Sequence, residues 1–379
     1  MNAFDHAVWL AMAFAVARLE RTGDARLWPV LGALVGIGLL NKVSVAFFAA
    51  GLVVALPFTP LRSHVRRRAF WLGAALAVVL VLPHLLWQVG AGWPTLEFME
   101  NAREHKIVDQ SAPAFLWGVA EALGPLSAPV WLAGLVALLL SPRLRPYRSL
   151  GIASIAVLVL LTAQTAKPYY AAPASYALFA AGGVALADRG RWVFRILVSL
   201  VAVGGLVASP LTLPLLPIES LLAYQRALGV APPVAEHGDR GAPTFQHFAD
   251  RFGWRELTDA VAEVWKGLPD GDRATATILA GNYGEAGALR YHGRAHGLPP
   301  AVSPHNSFHP WGPGGAEGSV VVAVGYSRER LLETFLDVEE AGLHVAPYAM
   351  PSESELLIYV CRGWRRPLEE AWREARFFI

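Results

Sequence analysis

Residues 66–89 read RRRAFWLGAALAVVLVLPHLLWQV. After Arg68 no charged side chain interrupts the run until past Val89. The hydrocarbon layer of a bilayer is about 30 Å thick and an α-helix rises about 1.5 Å per residue, so roughly 20 apolar residues cross it. The stretch 69–89 is therefore a membrane span. Working outward, comparable apolar blocks fill 114–140, 149–166, 171–187 and 192–215. The longer block 27–58 is broken mainly by Asn41 and Lys42, and reads as two short helices meeting in a hairpin. With 2–18 counted as a further span, eight spans close consistently.

Arg66, Arg67 and Arg68 also orient the chain, because Lys and Arg accumulate in short cytoplasmic loops. Together with Arg62 they share one side with Arg18, Arg21 and Arg26, with Arg143, Arg145 and Arg148, and with Arg189, Arg191 and Arg195. These thirteen lie on alternate connections. The other connections hold Lys42, Arg103, Lys106 and Lys167 with Asp5, Glu97, Glu100, Glu104 and Asp109. Alternation then faces the hairpin at Lys42, the loop 90–113, the turn at Lys167 and everything after Leu216 outward. The expected location is the cytoplasmic (inner) membrane, multi-pass, with the C-terminal domain on the periplasmic or extracellular side.

The composition agrees: 54% of the 379 residues are hydrophobic and 16% charged, in blocks rather than evenly mixed. No nucleic-acid partner is expected. The one cysteine, Cys361, excludes an internal disulfide and any cysteine-built zinc or iron–sulfur site. No cleavable signal peptide is visible, since Asn2, Asp5 and His6 stand where a basic segment and apolar core would lie. After Leu215 the balance turns acidic, with 21 acidic and 15 basic residues. The expectation is a transmembrane region over 1–215 and an outer α/β domain over 216–379. In that domain 277–280, 319–324 and 356–360 read as buried strands, and 254–265, 285–292, 328–340 and 368–378 as helices.

The polar residues on the outer side carry the candidate chemistry, and each has a plainer reading beside it. Lys42 can bind a phosphate as a compact point charge, or snorkel to the surface. Asp5 can act as a base, or simply suit a helix N-terminus. Glu97, Glu100 and Glu104 recur at helical spacing, the mark of a solvated surface helix, though one or two can face a substrate. Lys167, Tyr169 and Tyr170 form either a phosphate clamp stiffened by Pro168 and Pro173 or an interfacial aromatic belt. Gly281 to Glu285, with Asn282 and Tyr283 between, follow a strand and open a helix, so backbone amides there can receive an anionic or hydroxyl-rich ligand. His305, Asn306, His309 and Trp311 are the residue types that hydrogen-bond and stack on sugars, or an ordinary structured loop. The two histidines also stand at metal-ligand spacing, but no nearby cysteine or carboxylate supports a metal site.

The order Asn2-Ala3-Phe4-Asp5, Gly38-Leu39-Leu40-Asn41-Lys42, Pro83-His84-Leu85-Leu86-Trp87-Gln88, Gly92-Trp93-Pro94 and Lys167-Pro168-Tyr169-Tyr170 resembles bacterial glycosyltransferase family 39. That family is related to protein O-mannosyltransferases and the lipid A aminoarabinose transferase. The resemblance implies a GT-C membrane fold and a polyprenyl-phosphate-linked sugar as donor substrate; no cofactor is expected, and divalent-metal dependence stays open. It implies transfer to a glycan, lipid or protein acceptor by an inverting displacement. By the same likeness Lys167, Tyr169 and Tyr170 contact the lipid phosphate, Lys42 lies near it, and Asp5 edges the cavity. Asn282, Tyr283, Glu285, His305, Asn306, His309 and Trp311 fall in what resembles the outer region, where acceptor or sugar would bind. Family members begin with further spans and an outer loop bearing the acidic pair assigned as base, and this chain starts after both. The expected explanations, in order, are a start set too far downstream, an inactive remnant, or replacement of the base by Glu97, Glu100 or Asp5. The competing class is a non-catalytic membrane scaffold or transporter-like protein with an outer binding domain. Paired halves with matching broken helices, usual in transporters, are not evident.

Overall fold

The computed structural model describes residues 2–187, 189–232, 241–314 and 320–379. They form two compact units. One comprises Met1–Trp93 and Ile107–Leu215, the other Pro94–Lys106 and Leu216–Ile379. The charged segment after the fourth helix thus groups with the C-terminal unit, not with the apolar one.

The apolar unit is built from α1 (Asn2–Thr22), α2 (Leu27–Asn41), α3 (Val45–Ala55) and α4 (Arg68–Gly90). After α5 (Pro94–His105), which belongs to the other unit, come α6 (Ala112–Ala122), α7 (Ala128–Leu140), α8 (Arg148–Ala163), α9 (Ser175–Ala187) and α10 (Arg191–Thr212). Among the described residues four helical stretches are long and apolar enough to cross a membrane: Arg68–Gly90, Arg145–Ala163, Pro168–Ala187 and Arg191–Thr212. Counting two bent pairs as one span each gives six. The block 114–140, expected as one span, is one of these pairs. It turns through 90° after α6 because Gly124 takes a left-handed φ of +83° and Pro125 follows it. The second pair bends by 100° at Thr59, between Pro57 and Pro60.

α1 threads this unit and touches α2, α3, α8 and α9. Its buried residues Asp5, Trp9, Met12, Val16 and Leu19 recur every three or four positions, a single helical face. Elsewhere glycine lets helices meet backbone to backbone. A Cβ on Gly32 would lie 1.9 Å from the Gly73 carbonyl oxygen, and one on Gly134 would lie 1.8 Å from that of Leu178. In lipid, where burying apolar surface between helices gains little, such close backbone contact supplies the packing energy.

The C-terminal unit carries a four-stranded sheet of β1 (Thr277–Ala280), β2 (Val320–Val324), β3 (Phe335–Val345) and β4 (Glu355–Trp364), in the order β1-β2-β4-β3. β1 and β2 are parallel and joined through the helix Tyr283–His292; the other pairings are antiparallel. Each residue of β2 is buried, and so this central strand reads as the unbroken run VVVAV. One face packs Ile278, Val322 and Ile358 against Leu257 and Val261 of the helix Trp254–Gly267. The other packs Val321, Ala323 and Cys361 against Leu331, Phe335 and Val338. Full burial of a side chain of this size stabilises the fold by about 1.5–3 kcal/mol.

The helix expected over 328–340 is overturned. It stops at Leu332, and the edge strand β3 begins at Phe335. β3 buries Phe335 and Val338 three apart, a spacing that mimics a helix, and its register slips at a bulge between Glu340 and Gly342. The helix expected over 368–378 ends at Glu374, and His305 and Phe377 instead form an isolated parallel bridge. β2 covers 320–324 of the expected 319–324; Ser319 lies outside the described residues.

Candidate functional site

In the apolar unit the chain ends α2 abruptly. Lys42 turns extended, its N–H still bonded to the Gly38 carbonyl at 2.8 Å, and Ser44 precedes α3. This tight reversal brings Lys42 and Ser44 to the first turn of α1. Asp5 there is only 2% exposed. Its Oδ1 accepts the Ser44 hydroxyl at 2.6 Å, and its Oδ2 lies 3.8 Å from Lys42 Nζ. Lys42 Nζ also donates to Asn2 Oδ1 at 2.9 Å and stands 4.7 Å and 5.8 Å from the ring centroids of Tyr170 and Tyr169. Those two rings meet edge-on, centroids 4.5 Å apart, in the short 3-10 segment Pro168–Ala174. Lys167 opens that segment, its carbonyl accepting the Tyr170 N–H at 3.1 Å. Beside the cluster His6 Nδ1 is 2.5 Å from the Tyr176 hydroxyl.

Asp5, Lys42, Tyr169 and Tyr170, singled out separately in sequence, therefore meet. Lys42 retains an 18% exposed side chain. An ammonium has three donors; Asn2 takes one and Asp5 faces another, so capacity remains for an anion's oxygen. Ser44, His6 and Tyr176 were missed by sequence reasoning. Ser44 and His6 had a signal in their nearness to Lys42 and Asp5, whereas Tyr176 opens an apolar helix and had none.

Glu97 and Glu100 sit on α5, in the other unit. Glu97 accepts from Arg376 Nη2 at 2.6 Å; Glu100 is exposed. In the same unit Asn282 caps the helix Tyr283–His292, its Oδ1 accepting the N–H groups of Gly284 and Glu285 at 2.8 and 2.9 Å. Its Nδ2 bridges two carboxyls, Glu285 Oε1 at 2.9 Å and Glu353 Oε1 at 2.8 Å. Glu285 is 2% exposed and its Oε2 accepts the Gly281 N–H at 2.8 Å. Burial, with Glu353 beside it, pushes the Glu285 carboxyl up to about 8 against the Gly281 and Asn282 hydrogen bonds. Burial likewise pushes Glu353 up to about 7, the Asn282 amide opposing and Asp250 adding.

His305, buried, accepts the Tyr283 N–H through Nδ1 at 3.3 Å, and burial pulls its imidazole below the ordinary value. Asn306 holds the last residue through both amide atoms, Nδ2 to the Ile379 carbonyl at 2.8 Å and Oδ1 from its N–H at 3.0 Å. His309 stacks on Trp372 with planes 10° apart, while Trp372 Nε1 donates back to the His309 carbonyl at 3.2 Å. Asn282, Glu285, Asn306 and His309 are thus engaged in holding the unit together. Of the seven residues singled out here, Tyr283 and Trp311 are the ones that present open faces, at 53% and 65% exposure. Among the described residues no cluster of three or more His, Cys, Asp or Glu side chains is placed to hold a metal ion.

Residues 1–87 match the family model described as dolichyl-phosphate-mannose-protein mannosyltransferase. That description names a lipid-linked sugar donor and a protein acceptor for the family. The matched segment contains Asp5, Lys42 and Ser44 and ends before Lys167, Tyr169 and Tyr170. Over that segment the chain is similar to the protein-mannosyltransferase family, and the apolar helices fit a multi-pass membrane protein. No curated protein and no solved structure matches the chain.

Proposed function

We propose that the chain is a membrane glycosyltransferase that moves a sugar from a polyprenyl phosphate to a glycan, lipid or protein acceptor on the outer face. The observation that carries this reading is the meeting of Lys42, Asp5, Tyr169 and Tyr170, drawn from distant parts of the chain. In the proposed reaction the acceptor oxygen bonds to the anomeric carbon as the bond from that carbon to the phosphate oxygen breaks. The acceptor's proton passes to a carboxylate and the lipid phosphate leaves with an added negative charge. Lys42, fixed by Asp5 and Asn2, offsets that charge, with Lys167 and the tyrosine hydroxyls as further donors. Asp5 is buried with both oxygens engaged, which suits it to hold Lys42 rather than to take a proton.

The test is transfer by the purified chain in nanodiscs supplied with labelled polyprenyl-phosphate sugars and a panel of acceptors. Transfer that falls by about a hundredfold in Lys42→Ala, with membrane insertion unchanged, is the expected result. Absence of transfer sinks the reading in favour of a non-catalytic scaffold, and transfer indifferent to Lys42→Ala sinks the role given to the Lys42 cluster.

A further inference from the structure

A second feature of the C-terminal unit lies at the far end of the helix that Asn282 caps. In its last turn Arg290 reaches over two aromatic rings, its guanidinium carbon 5.3 Å from the Trp311 centroid and 5.8 Å from that of Phe308. The two rings pack on each other, centroids 4.7 Å apart. Together with Thr277, Pro299 and Pro313 they line an open cleft of about 430 Å³, within the range of small-molecule sites. Trp311 leaves 65% of its surface exposed over it.

The arginine is what gives this cleft a chemistry. A guanidinium held over ring faces is fixed in direction by the attraction of cation for π cloud. Its N–H donors lie in its own plane, and that contact does not consume them. Among the described residues no acidic side chain lines the cleft, pairs with Arg290 or accepts its hydrogen bonds. A half-buried, preoriented fork of this kind matches a carboxylate or a phosphate with two parallel bonds. Beside it, an exposed indole face suits the C–H face of a pyranose ring.

We infer that this cleft binds an anionic sugar, its ring on Trp311 and its carboxylate or phosphate on Arg290. The site stands apart from the Lys42 cluster in chemistry and in unit, and its binding does not depend on transfer. A proline-rich peptide would suit the proline and aromatic lining, but would leave the guanidinium fork without a partner. The fork decides for the sugar.

The full chain in nanodiscs tests this, titrated with trigalacturonate, glucose 6-phosphate, maltotriose and decaproline and read by saturation-transfer NMR and calorimetry. At least one anionic sugar should bind tenfold or more tightly than maltotriose, and the two anionic probes distinguish carboxylate from phosphate. Arg290→Gln should reduce that ligand to the maltotriose level, and Trp311→Ala should remove saturation transfer to the ring protons. Both variants should keep the amide-exchange protection of β2, which excludes loss of the fold as the cause. Lys42→Ala should bind as the unaltered chain does, so a failed transfer assay leaves this result standing. The inference is overturned if no anionic sugar is preferred over maltotriose, if the preference survives Arg290→Gln, or if decaproline alone binds.

Discussion

At the scale of single residues the C-terminal unit holds a pair of carboxyls under unusual constraint. Asn282 donates to both Glu285 and Glu353, and burial raises each above the ordinary carboxyl range near 4.5. A raised carboxyl means that the folded state binds the proton more tightly than the unfolded one. Its contribution to stability is full below about 4.5 and is lost as the pH rises through about 7 to 8. Amide-exchange protection of β2, corrected for intrinsic exchange, should therefore weaken between pH 5 and pH 8 by on the order of 2 kcal/mol. Glu285→Gln keeps an oxygen for the Gly281 N–H and carries no charge, so it should flatten that dependence. Protection that stays level with pH in the unaltered chain would count against carboxyls held protonated by burial.

At the scale of elements, the helices of the apolar unit meet where glycine allows contact. Gly134 on α7 faces the Leu178 carbonyl of α9, and Gly182 on α9 faces the Val130 carbonyl of α7. Gly134→Val must separate the two helices, at a cost of about 1–3 kcal/mol or more for overpacking. Thermal unfolding in detergent should drop by several degrees. Gly183→Ala is the control: nothing lies within 4 Å of its Cβ direction, and alanine favours helix over glycine. It should leave the midpoint unchanged or raise it slightly. The same scale explains the misread edge strand. Spacing along 328–340 satisfies a helix, and only pairing with β4, through Val338 opposite Cys361, makes it a strand.

At the scale of the whole molecule, the proposed orientation has a direct check. Cys361 is fully buried and burial pushes its thiol up to about 12, so the native chain is a silent background for a maleimide. A membrane-impermeant maleimide on intact cells should label Tyr291→Cys, at 74% native exposure, and label Arg66→Cys only after permeabilisation. The reverse pattern would invert the topology. What the sequence by itself determined was membrane class and the break at Lys42, because length of apolar run and local turn chemistry are properties of contiguous residues. It also singled out Asp5, Lys42, Tyr169 and Tyr170 one by one. Only the tertiary structure decided that these four meet, that Ser44 holds Asp5, and that Asn306 and His309 serve the fold. It alone set Arg290 over Trp311 as well. Each of those facts is a distance between residues far apart in the chain, fixed by helix packing and sheet pairing that no local pattern encodes.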